Sequence, residues 1–327
     1  ATLNHCSNLY YNPIQIELAE KICKLTGYAR VFFGNSGAEA NEGAIKLARK
    51  YSNDKYGAQK GRNKILTLQN SFHGRTVTTL SATGQNSFHQ HFDPFTPGFE
   101  AIPANDFDAL KVACGDSVCA VIMEAIQGEG GVLPLDPEYV KKSAAFLKEK
   151  DILLIFDEVQ TGAGRTGAFF GFEHFGIRPD IVSMAKGIAG GLPMGAFLCT
   201  DWLADVMGKG SHGSTFGGNP IASAGALVVL DKIPKLYRQI TENGEYLRNE
   251  LAKLPGITQV RGMGLMVGAS LKDGLEAKDV ASACIQKGLL VLTAKTALRF
   301  LPPLIITRAE IDEALAILKT VLEEQCA

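Results

Sequence analysis

Apolar residues gather along this chain in short unbroken runs. The runs at 31–33, 64–68, 120–123, 152–156, 181–184 and 195–199 are rich in Val, Ile, Leu and Phe. Runs without alternation predict strands covered on both faces. Helical spacing lies between them: Ala40, Ala44, Leu47, Ala48 and Tyr51 recur at helical intervals over 38–51, and 139–150 behaves alike. Strand–helix–strand alternation predicts an α/β fold with a mostly parallel sheet. Glycines cluster at 128–131, 162–171, 187–195 and 208–218, after apolar runs, as loops at strand ends do. Past about residue 235 the texture changes. Helical charge patterns surround a shorter apolar strand at 264–269, and a last helix over 309–324 opens with Thr307 and Glu310 in capping-box spacing. The expected division is a large domain over 1–235 and a smaller α+β domain over 236–327.

Composition narrows the classes of function. A chain of 327 residues, 46% hydrophobic and 20% charged, suits one large and one small domain with a substantial core. With 33 basic and 34 acidic residues, the net charge of −1 offers no general attraction to nucleic acid or an anionic membrane. Any anion site must come from local geometry. The 7 cysteines are scattered, with no C-x-x-C pair, so neither a disulfide framework nor a zinc site is expected and a reducing compartment, the cytoplasm, fits. No run of 18 apolar residues predicts a membrane span, and no secretory signal opens the chain. The start at Ala1 rather than Met leaves room for a leading segment.

Four segments carry candidate chemistry. The run ILLIFDEVQ delivers Asp157 at the carboxyl end of a strand, where ligands bind in open α/β sheets. There it serves a metal, a proton or a cationic ring nitrogen, or it simply caps a turn. A strand followed by Asp-Glu also resembles a Walker B element, but no G-x-x-x-x-G-K-[ST] partner exists. Gly162–Gly167, GAGRTG, matches G-x-G-x-x-G but neither follows its strand directly nor opens a helix, so it is a decoy for nucleotide binding.

The run IVSMAKGIAGG sets Lys186 beside a second strand end, 29 residues after Asp157. Burial there would disfavour its charge and make it an amine nucleophile; otherwise it is a solvated loop lysine. One strand–helix unit separates the two, so adjacent strands would bring both groups to one rim. In FGNSGAEANE, Ser36 and Glu39 fit a capping box, while the amides of Gly37 and Ala38 suit an anion at a helix start. In FHGR, Phe72 is core or a stacking partner, Arg75 grips a carboxylate or a surface acid, and His73 is a candidate base that nothing singles out.

These pieces occur in one order: NSGAEANE, FHGRT, E-x-I-Q-G-E-G-G, FDEVQTGAGRTG, AKG-x-x-G-G-x-P and GSTFGGNP. Together they resemble the class III (subgroup II) aminotransferases of fold type I, from about Leu3 to the final helix. The resemblance implies a mostly parallel seven-stranded sheet covered by helices, a smaller C-terminal domain, and pyridoxal 5′-phosphate as cofactor. It implies that Lys186 carries the cofactor covalently and shuttles a proton, and that Asp157 pairs with the ring nitrogen. Phe72 and Val159 would sandwich the ring, Gln160 would approach its phenolic oxygen, and Glu158 would belong to the same cofactor-binding segment. Ser36, Gly37 and Ala38 would seat the phosphate. Ser214 and Thr215 would reach the phosphate of a neighbouring subunit, making a homodimer the active unit. Arg75 would bind the carboxylate of an acylated ornithine, Arg299 the α-carboxylate of glutamate, and Glu129 would pair with Arg299 when that carboxylate is absent.

The activity so implied is ping-pong transfer of the amino group of N-acetylornithine to 2-oxoglutarate, a step of arginine biosynthesis. Ornithine and 4-aminobutyrate remain alternative donors, and a catalytically impaired cofactor-binding scaffold remains the non-enzymatic alternative. Two departures stand out. The family has Glu-Pro where this chain has Glu124-Ala125. The family also carries several dozen residues ahead of the point where this chain begins, so an N-terminal segment of the small domain is expected to be missing.

Overall fold

The computed structural model describes residues 3–7 and 9–326, with Cys326 described in its backbone only. Ala1 and the Cys326 side chain therefore lie outside the described residues. The chain forms two compact units. The first comprises residues 1–125, 135–163 and 172–232; the second comprises 126–134, 164–171 and 233–327.

In the first unit the strands are β1 (Arg30–Gly34), β2 (Lys64–Leu68), β3 (Phe99–Ile102), β4 (Val118–Met123), β7 (Leu153–Asp157), β8 (Ile181–Met184) and β9 (Gly195–Cys199), with β5 (Ile126–Gln127) and β6 (Leu133–Pro134) forming a hairpin of the second unit. Its helices are α1 (Pro13–Thr26), α2 (Gly37–Tyr56), α3 (Val77–Ala82), α4 (Phe107–Ala113), α5 (Pro137–Glu149) and α6 (Pro220–Lys232). The seven strands are ordered β1-β9-β8-β7-β4-β2-β3. Only β9 runs against the rest, pairing antiparallel with β1 and β8. The mostly parallel α/β sheet is as expected.

Every residue of β4, β7 and β8 is buried. Unalternated apolar runs are what a doubly covered sheet requires. Helix α2 lays Ala44, Ile45, Leu47 and Ala48 against Ile65, Ala120, Ile122, Ile155 and Phe197 of the sheet. Each large aliphatic side chain so buried stabilises by about 1.5–3 kcal/mol relative to exposure. Strand β7 sits between β4 and β8, parallel to both, with Asp157 opposite Ser183. Its end therefore opens at the middle of the sheet, where the loops after β2, β4 and β8 also emerge.

The second unit has a four-stranded antiparallel sheet, β10 (Ile257–Met263), β11 (Met266–Leu271), β13 (Ala297–Phe300) and β12 (Leu292–Ala294) in spatial order, with α7 (Tyr237–Leu251), α8 (Ala277–Gln286) and α9 (Arg308–Cys326). The strand expected at 264–269 is displaced: Gly264 and Leu265 form the turn of the β10–β11 hairpin. Gly264 has φ +51°, left-handed backbone that breaks the ladder. The capping box at α9 forms as expected, the Thr307 amide donating to Glu310 at 2.7 Å and the Glu310 amide to Thr307 Oγ1 at 3.3 Å. Arg261 Nε donates to the Gly131 carbonyl at 2.9 Å, and Arg165 Nη1 to those of Leu265 and Pro302 at 3.0 and 2.6 Å. These bonds are why 126–134 and 164–171 belong to this unit.

Candidate active site

At the end of β7, Asp157 is 4% exposed and its two carboxylate oxygens accept three hydrogen bonds. Oδ2 accepts from His73 Nδ1 at 2.8 Å and Asn41 Nδ2 at 2.7 Å, and Oδ1 accepts from the Val159 amide at 3.0 Å. Asn41 lies on the buried face of α2, and its second amide hydrogen goes to the His73 carbonyl at 2.7 Å. The His73 amide donates to Thr83 Oγ1 at 3.0 Å. Burial opposes a charge on the fully enclosed His73 imidazole; the hydrogen bond to Asp157, its charge and that of Glu124 outweigh burial and raise the His73 pKa.

Glu124 follows β4, is equally enclosed, and accepts the Phe72 amide at 2.9 Å. Burial pushes its carboxyl up to about 7, Asp157 adding to the rise and His73 opposing it. One imidazole and two carboxyls thus share the floor of the site.

Lys186 follows β8 after one further residue, Ala185, and begins a 3-10 turn over Lys186–Ala189. Its φ of +49° is left-handed, a conformation that costs a non-glycine residue about 1–3 kcal/mol and concentrates at functional sites. Of the two environments open to it, Lys186 takes the exposed one.

The start of α2 supplies the anion geometry. Ser36 caps the helix, accepting the Glu39 amide at 3.2 Å, and the Glu39 carboxylate returns to the Asn35 amide. This cap leaves the N–H groups of Gly37 and Ala38 for another acceptor. A Cβ on Gly37 would stand 2.6 Å from Val159 Cγ1, so glycine is what lets the helix start approach the loop after β7.

A cavity of about 700 Å³ collects these parts: Ser36, Gly37, Ala38, Phe72, Arg75, Asp157, Val159, Gln160 and Lys186 all line it. Asn41, His73 and Glu124 also line it; in the sequence His73 was a candidate base that nothing singled out, and Asn41 and Glu124 had no site role. A signal existed for Asn41, a polar residue on the apolar stripe of α2. Glu158, between the cavity-lining Asp157 and Val159, is buried and accepts Thr161 Oγ1 at 2.6 Å and the Phe172 amide at 2.9 Å.

Ser214 and Thr215 line a separate hollow of about 400 Å³ in the same unit. Ser214 Oγ accepts from Asn35 Nδ2 and the Gly217 amide, each at 3.1 Å. In the second unit, Arg299 Nη1 meets Glu129 Oε1 at 2.6 Å, with 9% and 29% of the side chains exposed.

Chemically, the cavity offers helix-start amides for an anion, a buried carboxylate backed by an imidazole for a protonated ring nitrogen, an amine, and a guanidinium. Fold and site define a class. The chain belongs to the class-III aminotransferases: the family model Aminotransferase class-III matches residues 1–322. It is an aminotransferase dependent on pyridoxal phosphate.

It is similar to the acetylornithine aminotransferase of Haemophilus ducreyi, 50% identical over 324 residues that cover 98% of this chain and 82% of that one. Among solved structures it is similar to the ornithine aminotransferase of Toxoplasma gondii (TM-score 0.94, 34% identity, 99% of this chain and 80% of that one). It is also similar to the N-acetylornithine aminotransferase of Stenotrophomonas maltophilia (TM-score 0.85, 34% identity, 98% and 82%). The free amides at Gly37 and Ala38, and the approach that Gly37 permits, fit the cofactor's phosphate.

Proposed function

We propose that this enzyme transfers the amino group of N-acetylornithine to 2-oxoglutarate, giving N-acetylglutamate 5-semialdehyde and glutamate. The observation that carries the donor is the 50% identity, over 98% of this chain, to an acetylornithine aminotransferase. Bound pyridoxal phosphate supplies an electron-accepting ring that stabilises the carbanion formed at the amino-bearing carbon.

The chain's own residues then divide the remaining work. The Lys186 amine would hold the cofactor and would take and return the proton at the amino-bearing carbon of the substrate. Asp157 holds a proton on the ring nitrogen. His73 and Asn41 fix the carboxylate in place, and the raised His73 pKa favours the charged imidazole behind it. Ser36, Gly37 and Ala38 bind the phosphate through one hydroxyl and two amides. Phe72 and Val159 flank the ring, and Gln160 serves its phenolic oxygen.

Arg75 binds the carboxylate of the acylated donor as a planar fork. Arg299 binds the α-carboxylate of glutamate, and Glu129 occupies Arg299 when the donor brings none there; the 2.6 Å ion pair supports that exchange. Ser214 and Thr215 serve the phosphate in the neighbouring subunit of a homodimer. The large domain, 1–235, holds the cofactor and 236–327 completes the small domain. A cytoplasmic setting is supported by six described cysteines that are all free thiols.

Turnover of N-acetylornithine, ornithine and 4-aminobutyrate with 2-oxoglutarate tests the donor. N-acetylornithine is expected to be fastest, and faster turnover of either rival overturns the assignment. Borohydride reduction followed by peptide mass mapping tests the lysine, and a label on any residue but Lys186 removes its role.

A further inference from the structure

We propose that Phe88, a residue outside every motif above, is a positioning residue that clamps the Arg75 guanidinium together with Phe72 and so sets recognition of the donor's carboxylate. The inference rests on the reading of Arg75 given above. Arg75 Cζ lies 5.2 Å from the Phe88 ring centroid and 5.8 Å from that of Phe72. The two rings meet edge to face, centroids 5.3 Å apart and planes at 66°. Both rings are half-buried, whereas Arg75 is exposed. Among the described residues, Arg75 makes no hydrogen bond or ion pair. Ring contacts alone hold it, and every in-plane N–H stays open to a carboxylate.

Phe88 stands on a segment built to stay still. The Asn70 amide donates to the Gly84 carbonyl at 2.8 Å, and the Gly84 amide to Ser71 Oγ at 3.0 Å. Gln85 Nε2 donates to the carbonyls of Asn70 and Ser71 at 3.2 and 3.1 Å. The Phe88 amide closes the turn onto the Gln85 carbonyl at 3.1 Å. A Cβ at Gly84 would meet the Leu68 carbonyl oxygen at 2.1 Å, so glycine is obligatory for this latch. The segment bearing Phe88 is thereby tied to the turn that leads into Phe72 and Arg75.

The contrast with Arg299 gives the clamp its consequence. Arg299 has Glu129 at 2.6 Å to neutralise it when a substrate brings no carboxylate; Arg75 has no such acid among the described residues. A donor without a carboxylate at that end leaves the clamped guanidinium unpaired, which selects against it.

The test compares Phe88→Leu, Phe88→Tyr and Arg75→Ala as pyridoxal-phosphate holoenzymes. Phe88→Leu is expected to raise KM for N-acetylornithine about fivefold with kcat within about twofold, the size of one lost cation–π contact. The single-turnover bleaching rate with pentylamine, which has no carboxylate, should stay as in the wild type, and Phe88→Tyr should restore KM. If Arg75→Ala raises KM strongly and Phe88→Leu does not, the clamp is wrong and the reading of Arg75 stands. If the pentylamine rate falls in parallel with KM rising, Phe88 acts only through general folding and the clamp is wrong. If Arg75→Ala leaves KM unchanged, the reading of Arg75 fails and the clamp with it.

Discussion

His73 Nδ1 lies 2.8 Å from Asp157 Oδ2, with both residues enclosed and Asn41 donating to the same oxygen at 2.7 Å. The carboxylate at the end of β7 is thus held by donors from α2 and from the loop after β2, as well as by its own turn. A charge-assisted contact of this kind fixes orientation more tightly than a neutral one.

Asp157→Asn should slow the donor half-reaction by about two to three orders of magnitude, the effect of removing one preorganised charge. His73→Gln keeps a donor but not the charge, so a smaller loss is expected. The raised His73 pKa means its charge is present at low pH and is lost as pH rises beyond the ordinary 6.5. The wild-type rate should therefore decline on an alkaline limb that His73→Gln lacks. Stopped-flow bleaching across pH reads both; an identical limb in the two proteins would count against the coupling.

Glu124 predicts a pH-dependent stability. Its carboxyl ordinarily titrates near 4.5 and here is pushed up to about 7 by burial. Between those values the folded state holds a proton that the unfolded chain has released. Stability from this group is present below 4.5 and lost as pH rises to about 7. The proton on His73 adds in the same sense above its ordinary 6.5, while Asp157 and Lys186 are the other charges facing Glu124. Glu124→Gln can still accept the Phe72 amide without ionising. It should be the more stable protein at pH 8.5, by on the order of 2–3 kcal/mol, with the gain shrinking toward pH 5. Thermal melts of the apoenzyme at the two pH values check this.

Gly37→Ala places a methyl 2.6 Å from Val159 Cγ1. The helix start or the loop after β7 must then shift, a change that costs about 1–3 kcal/mol in a packed interior. Cofactor retention on dialysis should weaken about tenfold or more, while the far-ultraviolet spectrum stays unchanged. Full retention would show that the helix start does not seat the phosphate.

Glu129→Gln removes the acid that competes for Arg299. KM for glutamate should fall several-fold, and the N-acetylornithine half-reaction should slow because the guanidinium is left unpaired during it. Separate half-reaction kinetics distinguish these effects. Equal changes in both would mean that the pair is structural.

Legibility in the sequence followed the range of the interactions. The runs at 64–68, 181–184 and 195–199 match observed strands residue for residue, since a buried strand favours apolar side chains at most positions, Thr67 and Ser183 being buried polar exceptions. Phe99–Ile102, with two of its four residues exposed at the sheet edge, left no such run. The Ser36 cap and the Thr307 capping box were readable because each closes within three residues. Within the site, Asp157 and Lys186 stood out through their places after apolar runs. His73, Asn41 and Glu124 did not, since their partners lie 32 to 116 residues away along the chain.

By itself the sequence determined which segments become strands and helices, where the sheet's ends fall, and the family to which the ordered motifs point. Those properties depend on neighbours a few residues apart and on the demand that a doubly covered strand be apolar. Only the tertiary structure decided that Glu158 is buried, that Lys186 is exposed, that Asp157 is gripped by His73 and Asn41, and that Phe88 stands over Arg75. Each of these depends on which face a side chain takes once separate segments pack. That choice is settled by the whole set of contacts and is written in no single stretch of the chain.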